Sequence, residues 1–258
     1  MANRILTSAF ITFFAATALA GGTAIETTSK EMKQVAPMPT TDFSWTGFYV
    51  GARAGYGWHD GTIDAQLLPH ELVTLVPRTA NNDADGFVGG GEVGYNWQFS
   101  RFVLGVESDF SGSDISGSSD SQVRFAPSQF VGREPVSHDV HWFGTARGRI
   151  GFTVTPRVLL YGTGGVAVAD IEQSAGVILI PVARYLETRS ETETGWTTGG
   201  GIEIALTPHW SVKAEYLYCD FGNQSLTAFS QPRIENYRVR YDYDTQFHTI
   251  AGGLNFKF

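Results

Sequence analysis

The sequence predicts an all-β protein: eight antiparallel strands wound up and down into a transmembrane β-barrel with four long extracellular loops. Three observations predict it. Apolar or small residues recur at every second position through eight segments. The connections between those segments alternate strictly between short and long. Within the segments, the charges keep to the face opposite the apolar one.

Composition narrows the field before any element is placed. The chain has 258 residues, 30 of them glycine, with 13% aromatic residues, one cysteine and a net charge of −8. A single cysteine rules out an intrachain disulfide and any multi-cysteine metal site. The acidic balance provides no footprint for nucleic acid, which is excluded as a partner. Residues 1–20 read as a secretory signal peptide: Arg4, then the apolar run ILTSAFITFFAATALA ending in small residues at Ala18 and Ala20. That run is too short for a membrane-spanning helix. Residues 21–44, with Pro37 and Pro39 and no period, read as a linker, which leaves 45–258 for the barrel.

The first strand is WTGFYVGARAGYGW at 45–58, with Phe48, Val50, Ala52, Ala54, Tyr56 and Trp58 on one face and Arg53 on the other. The second, near 86–98, sets Phe87, Val93, Tyr95 and Trp97 against Glu92, and the third, 102–110, sets Phe102, Leu104, Val106 and Phe110 against Glu107 and Asp109. Strand four, 139–153, opposes Trp142, Ala146, Ile150 and Phe152 to Arg147 and Arg149. Strand five, 158–170, carries Val158, Leu160, Val166 and Val168 outward. Strand six, 195–206, opposes Trp196, Ile202, Ile204 and Leu206 to Glu203. Strand seven, 210–221, opposes Trp210, Val212, Ala214, Tyr216 and Tyr218 to Lys213 and Glu215. The last, 245–258, opposes Ile250, Leu254, Phe256 and Phe258 to Lys257.

Tight turns fall around Ser100, at Thr155-Pro156-Arg157 and at Thr207-Pro208-His209; the long connections are 59–85, 111–138, 171–194 and 222–244. Short turns on one side and long loops on the other are the habit of a barrel crossing an outer membrane. A charge facing lipid at the midplane costs about 2–4 kcal/mol, so the apolar face is the lipid face. A soluble barrel has the opposite polarity. Trp58, Trp97, Trp142, Trp196 and Trp210 fall at strand ends, where aromatic girdles meet water.

Inside the barrel, Arg53, Arg147, Arg149, Lys213 and Lys257 meet Glu92, Glu107, Asp109, Glu203 and Glu215. Balanced charge predicts a paired network. Glycines at 51, 55, 90, 94 and 165 leave room for a narrow water path instead, and both readings stay open. The runs LLPHELVTLVP at 67–77 and GVILIPVARYL at 176–186 read either as strand walls above the membrane or as a binding surface. His59, His70, His138, Tyr237, Tyr241 and Tyr243 have the types that ligate haem, but no spacing ties them together, so no cofactor is assigned. No catalytic residue is assigned either. The His209-Trp210-Ser211 triplet falls at a periplasmic turn, His138 and His141 fall on opposite strand faces, and Cys219 reads as an inert interior thiol.

The stretches WTGFYVGARAGYGW at 45–58, GVESDFSGSDISG at 105–117, ARGRIGF at 146–152, YGTGGVAVAD at 161–170, TGGGIEIAL at 198–206, KAEYLYCDFG at 213–222 and AGGLNFKF at 251–258 carry a resemblance. Together they resemble the small outer-membrane β-barrel family of alphaproteobacteria, the immunogenic surface proteins of rhizobia, brucellae and bartonellae. More distantly they are similar to OmpA- and OmpX-type barrels. The resemblance implies assembly in a Gram-negative outer membrane among lipid and lipopolysaccharide, with Phe258 as part of the signal read by the barrel-assembly machinery. It also implies a periplasmic place for residues 21–44. The function expected is that of an envelope-structural surface protein whose loops are available to an extracellular ligand. A small-solute porin, or a haem or host-surface binder, is the alternative.

Overall fold

The computed structural model describes residues 43–59, 62–68, 74–76, 79–81, 83–126, 131–179, 183–231 and 238–258. The expected signal peptide, most of the linker, His70 and Tyr237 lie outside the described residues. Period-2 alternation translates directly into strands: β1 (Gly47–His59) alternates between buried and exposed positions along its length. It is followed by β2 (Thr62–Leu68), β3 (Thr74–Val76), β4 (Thr79–Asn81), β5 (Ala84–Phe99), β6 (Phe102–Ala126) and β7 (Val131–Thr155). The remaining strands are β8 (Val158–Leu179), β9 (Ala183–Ala205), β10 (Trp210–Gln231) and β11 (Arg238–Lys257).

Eight long strands, β1 and β5 to β11, pair antiparallel with their sequence neighbours, and β1 closes the ring against β11 from Tyr49↔Lys257 to Trp58↔His248. Closure leaves no sheet edge in the lipid zone, which is the condition for spanning a membrane with strands. The short turns are tied by backbone bonds: Thr153 N–H donates to Arg101 O at 2.8 Å, and Leu206 N–H to Trp210 O at 2.8 Å. Ser100 takes the left-handed conformation (φ 56°) that the first turn requires.

The long connections differ from the sequence reading. Of 111–138, β6 takes everything to Ala126 and β7 resumes at Val131; β8 and β9 consume most of 171–194, and β10 and β11 most of 222–244. Even in the first connection β2 pairs with β11 from Ile63↔Tyr243 to Leu68↔Arg238, and β4 pairs with β2. The wall therefore rises well above the lipid zone. Its inner face there mixes apolar residues, Val136, Val140, Ile171, Ala175, Leu226 and Val239, all buried, with buried Glu134, His138 and Gln173. The outer face of the same strands carries Ser118, Ser137, Ser174 and Thr188 in one cross-strand row. A face that is half hydroxyl and half apolar suits strands standing in water around a filled interior.

Candidate functional site: the barrel interior and its two ends

Three layers of side chains fill the barrel from the periplasmic end outward. The lowest is apolar: Trp45, Val103, Leu159, Tyr161 and Ala205, with Phe43 packed against them. Trp45 precedes β1, and its chain end turns inward. The indole N–H donates to Pro156 O at 3.2 Å, Gln98 Oε1 accepts from its backbone N–H at 2.7 Å, and Phe43 meets it edge-on.

The middle layer is ionic. Arg147 reaches Glu107 at 2.6 Å, Asp109 at 2.8 Å and Glu215 at 3.1 Å. Arg149 reaches Glu203 at 2.8 Å and Glu107 at 3.5 Å, while Arg53 reaches Asp109 at 3.1 Å and Glu215 at 3.6 Å. Lys213 bonds Glu92 at 2.8 Å and Glu107 at 3.1 Å. Four cations thus meet five carboxylates, and neutral donors serve the surplus. Tyr49 donates to Glu107 at 2.6 Å, Tyr161 to Glu215 at 3.0 Å, Ser211 to Glu203 at 2.6 Å and Asn255 to Glu203 at 3.1 Å. Arg149 also lies 3.9 Å from the centre of the Tyr161 ring, a cation–π contact. Charges buried this deeply persist only when paired, and each of these nine lies within ion-pair distance of an opposite charge, Arg53 and Glu92 by proximity alone and the others with hydrogen bonds as well.

Lys257, grouped with these nine in the sequence reading, stands apart. It sits at the periplasmic rim, where Nζ donates to Ser44 O and lies over the Phe43 ring at 4.6 Å. Its strand position is the last inward one, so the side chain covers the lower layer and does not reach the middle. The interior glycines differ too. A Cβ on Gly51, Gly55, Gly90, Gly94 or Gly165 would meet neighbouring atoms at 1.9, 2.1, 1.9, 2.4 and 2.1 Å respectively. They are close-approach positions, with Tyr49 filling the space beside Gly94, and not gaps for water.

The outer layer is apolar again: Ala84, Val88, Ile115, Val140, Phe143, Ala167, Ala169, Ile171, Cys219, Phe221 and Phe247. Phe247 packs against Phe143 at 5.2 Å and Phe221 at 5.7 Å. Cys219 is fully buried and donates to Thr197 Oγ1 at 3.4 Å. Beyond this layer, His59 and His138 stack at 4.8 Å, and Glu134 and Tyr241 are fully buried. Sequence reasoning missed the inner apolar layers because only the lipid-facing register was read. Val103, Leu159, Phe143 and Phe247 sit on the opposite parity and were the available signal.

The potential chemical groups are kept apart. His209 binds Lys257 O through Nδ1 at 3.0 Å at the rim, while the Ser211 hydroxyl is committed to Glu203. His141 is exposed and pairs with Asp170 at 3.6 Å, on the face away from His138. Among the described residues no group of three or more His, Cys, Asp or Glu side chains is arranged to hold a metal ion.

On the lipid side, Trp97, Trp196 and Trp210 are exposed and Trp58 and Trp142 half-buried. Each lies against another ring: Trp97 on Tyr95, Trp196 on Tyr218, Trp210 on Phe256, Trp58 on His248 and Trp142 on Phe110. The terminal Phe258 is exposed between Phe48 and Phe256, and its N–H donates to Phe48 O at 3.0 Å. A sequence profile of the outer membrane protein beta-barrel domain family matches residues 6–258. The chain belongs to that family. This outer-membrane barrel is 38% identical over 222 residues to the 31 kDa outer-membrane immunogenic protein of Brucella melitensis, covering 85% of this chain and 86% of that one. It is 31% identical over 183 residues to the 22 kDa outer membrane protein of Rhizobium leguminosarum, covering 70% and 66% of the two chains. Among solved structures it is similar to the outer membrane protein OprG from Pseudomonas aeruginosa, with 12% identity, TM-score 0.44, and 83% and 97% of the chains covered. The protein is an outer-membrane surface barrel, and lipid and lipopolysaccharide are its surroundings.

Proposed function

We propose that this outer-membrane barrel is an envelope-structural and surface-presenting protein whose interior is closed to solutes, and that it is not an enzyme. The observation that carries the reading is the stack of apolar, ionic and apolar layers, each spanning the barrel with buried side chains. An eight-stranded barrel has an interior just wide enough for side chains to fill. Here glycines admit neighbours closely and do not widen it. The commitment of the Ser211 hydroxyl to Glu203 and of the His209 ring to the Lys257 carbonyl supports the non-enzymatic part.

Residues 1–20 act as the cleaved export signal and 21–44 as the periplasmic linker. The five tryptophans hold the barrel at the two interfaces, and Phe258 is read by the barrel-assembly machinery. The strands that rise above the membrane provide the face for extracellular contacts.

Single-channel recording of the folded barrel in a planar bilayer tests the closed interior. A silent bilayer containing folded protein is the expected result. Discrete, reproducible steps would establish a continuous water path and move the small-solute reading ahead.

A further inference from the structure

Four neighbouring pairs, β6–β7, β7–β8, β8–β9 and β10–β11, stay paired into the extracellular wall with short slips. The β9–β10 ladder behaves differently. It runs from Ser211↔Ala205 to Asp220↔Trp196, and pairing resumes only at Ser230↔Tyr185. Among the described residues, 221–228 of β10 therefore face 187–195 of β9 with no ladder between them. Each stretch is satisfied on its far side, β9 by β8 through Asp170↔Thr192 and Gly176↔Leu186, and β10 by β11 from Asn223↔Asp244 to Phe229↔Arg238. Two strand edges thus border one seam, and alternate N–H and C=O groups on each edge point across it. The seam begins at the outer-girdle rung of Trp196, so it opens to the exterior.

The side chains confirm the opening. Glu187 and Glu191 share rungs with Ala175 and Ile171; those β8 residues are buried, whereas both glutamates are exposed. Two side-chain bridges lace the seam in place of a ladder. Gln224 Nε2 donates to Glu193 Oε2 at 3.0 Å, and Arg189 donates to the backbone carbonyl of Ser225 at 3.4 Å. The Ser225 carbonyl is an edge acceptor of the kind a neighbouring strand would use. On the inward register of β9, Glu187, Glu191 and Glu193 outnumber Arg189. A second copy of this edge would set like charges against each other, which disfavours self-pairing.

We propose that the seam is a docking site for an extended polypeptide segment with basic side chains at alternate positions, which enters as an additional strand between β9 and β10. Main-chain bonds to both edges give the affinity, and the glutamates select the charge. The outward row of Thr188, Ser190, Thr192 and Thr194 leaves the opposite face of such a strand in water. About nine residues fill the seam, a reach of roughly 30 Å at strand rise. The proposal rests on the surface-protein reading for its exposure outside the cell, and the state of the barrel interior does not enter it.

The test uses the full folded chain in detergent micelles and a synthetic peptide of about nine residues alternating lysine and threonine. Fluorescence anisotropy reads the binding, and amide exchange reads its place. Saturable binding is expected, with exchange slowed in 187–194 and 223–228. Binding should weaken about tenfold or more when alternate peptide nitrogens are methylated, when glutamate replaces lysine in the peptide, or in the Glu191→Lys barrel. The two peptide controls use the native barrel, so a failure of the variant to fold leaves the test intact. Equal binding of the methylated peptide, protection elsewhere, or no saturable binding at millimolar peptide would overturn the proposal. So would slowed exchange at the seam that depends on barrel concentration alone, since a second copy would then be the occupant. Bilayer conductance is unaffected by any of these outcomes, so this proposal and the closed-interior reading fail separately.

Discussion

Glu107 is the residue on which the ionic layer converges: Arg147, Arg149, Lys213 and the Tyr49 hydroxyl all point at its carboxylate. Removing one partner from a buried set leaves the others uncompensated, at about 3–5 kcal/mol. Glu107→Gln should therefore lower the urea midpoint of the folded barrel in micelles by a corresponding amount, whereas Lys257→Met at the rim should change stability by about 1 kcal/mol or less. A second residue-scale effect lies above the membrane. Burial pushes the Glu134 carboxyl up from 4.5 to about 7 and the His138 imidazole down from 6.5 to about 3, with His59 adding to the latter. The folded wall prefers both groups neutral. Glu134 contributes fully below its unfolded value and loses that contribution as pH rises to about 7; His138 contributes above 6.5 and loses its share as pH falls to about 3. The two nearly cancel between 4.5 and 6.5. Glu134→Gln removes the loss on the alkaline side, so protection of amides 132–140 should then keep rising to about pH 6.5 and level off. Amide exchange corrected for intrinsic rates checks it, and an unchanged pH profile would mean Glu134 does not govern the wall.

At the scale of the strand, depth decides what a substitution does. Ile202 lies outward on β9, midway between Trp196 at one end and the periplasmic turn at the other, while Leu206 lies just past the strand end at that turn. Ile202→Arg should cost about 2–4 kcal/mol and sharply reduce the fraction of heat-modifiable, assembled barrel, whereas Leu206→Arg should cost about 1 kcal/mol or less. Equal losses would contradict the placement of the rim. The lipid-zone strands were legible in sequence because one face had to be apolar along its whole length, as in Phe48, Val50, Ala52, Ala54 and Tyr56. The upper strands were read as loops because no lipid demands that face. Ser118, Asp120, Ser137 and Asp139 look like loop residues, and the inward Val136, Val140, Ile171 and Ala175 that give the strands away are spaced among serines and charges. The ionic layer was legible residue by residue from parity, apart from Lys257, whose height on β11 no alternation pattern encodes. The β9–β10 seam was not legible at all, since registry between strands is a property of two segments together.

At the scale of the whole molecule, the proposed closed interior rests on three layers in series. Replacing Phe143 and Phe247 together by alanine opens the outer layer only, so the double variant should remain silent in a planar bilayer, with the ionic and Trp45 layers still in place. Channel steps from that variant alone would place the whole barrier in the outer layer. Assembly offers a further check, because Phe258 caps the ring against β1 through its N–H to Phe48. Deleting it should lower the yield of folded barrel in the outer membrane without altering the thermal stability of what does assemble.

The closing rungs from Tyr49↔Lys257 to Trp58↔His248 join the first strand of the ring to the last. Each doubling of the chain between two partners adds only about 0.6 kcal/mol of closure entropy, so the distance hardly weakens the finished barrel. Its effect is on order in time. No local hairpin can make that seam early, and an unclosed sheet would hold two bare edges in lipid. The beginning of the barrel therefore has to wait for its end before it is paired on both sides.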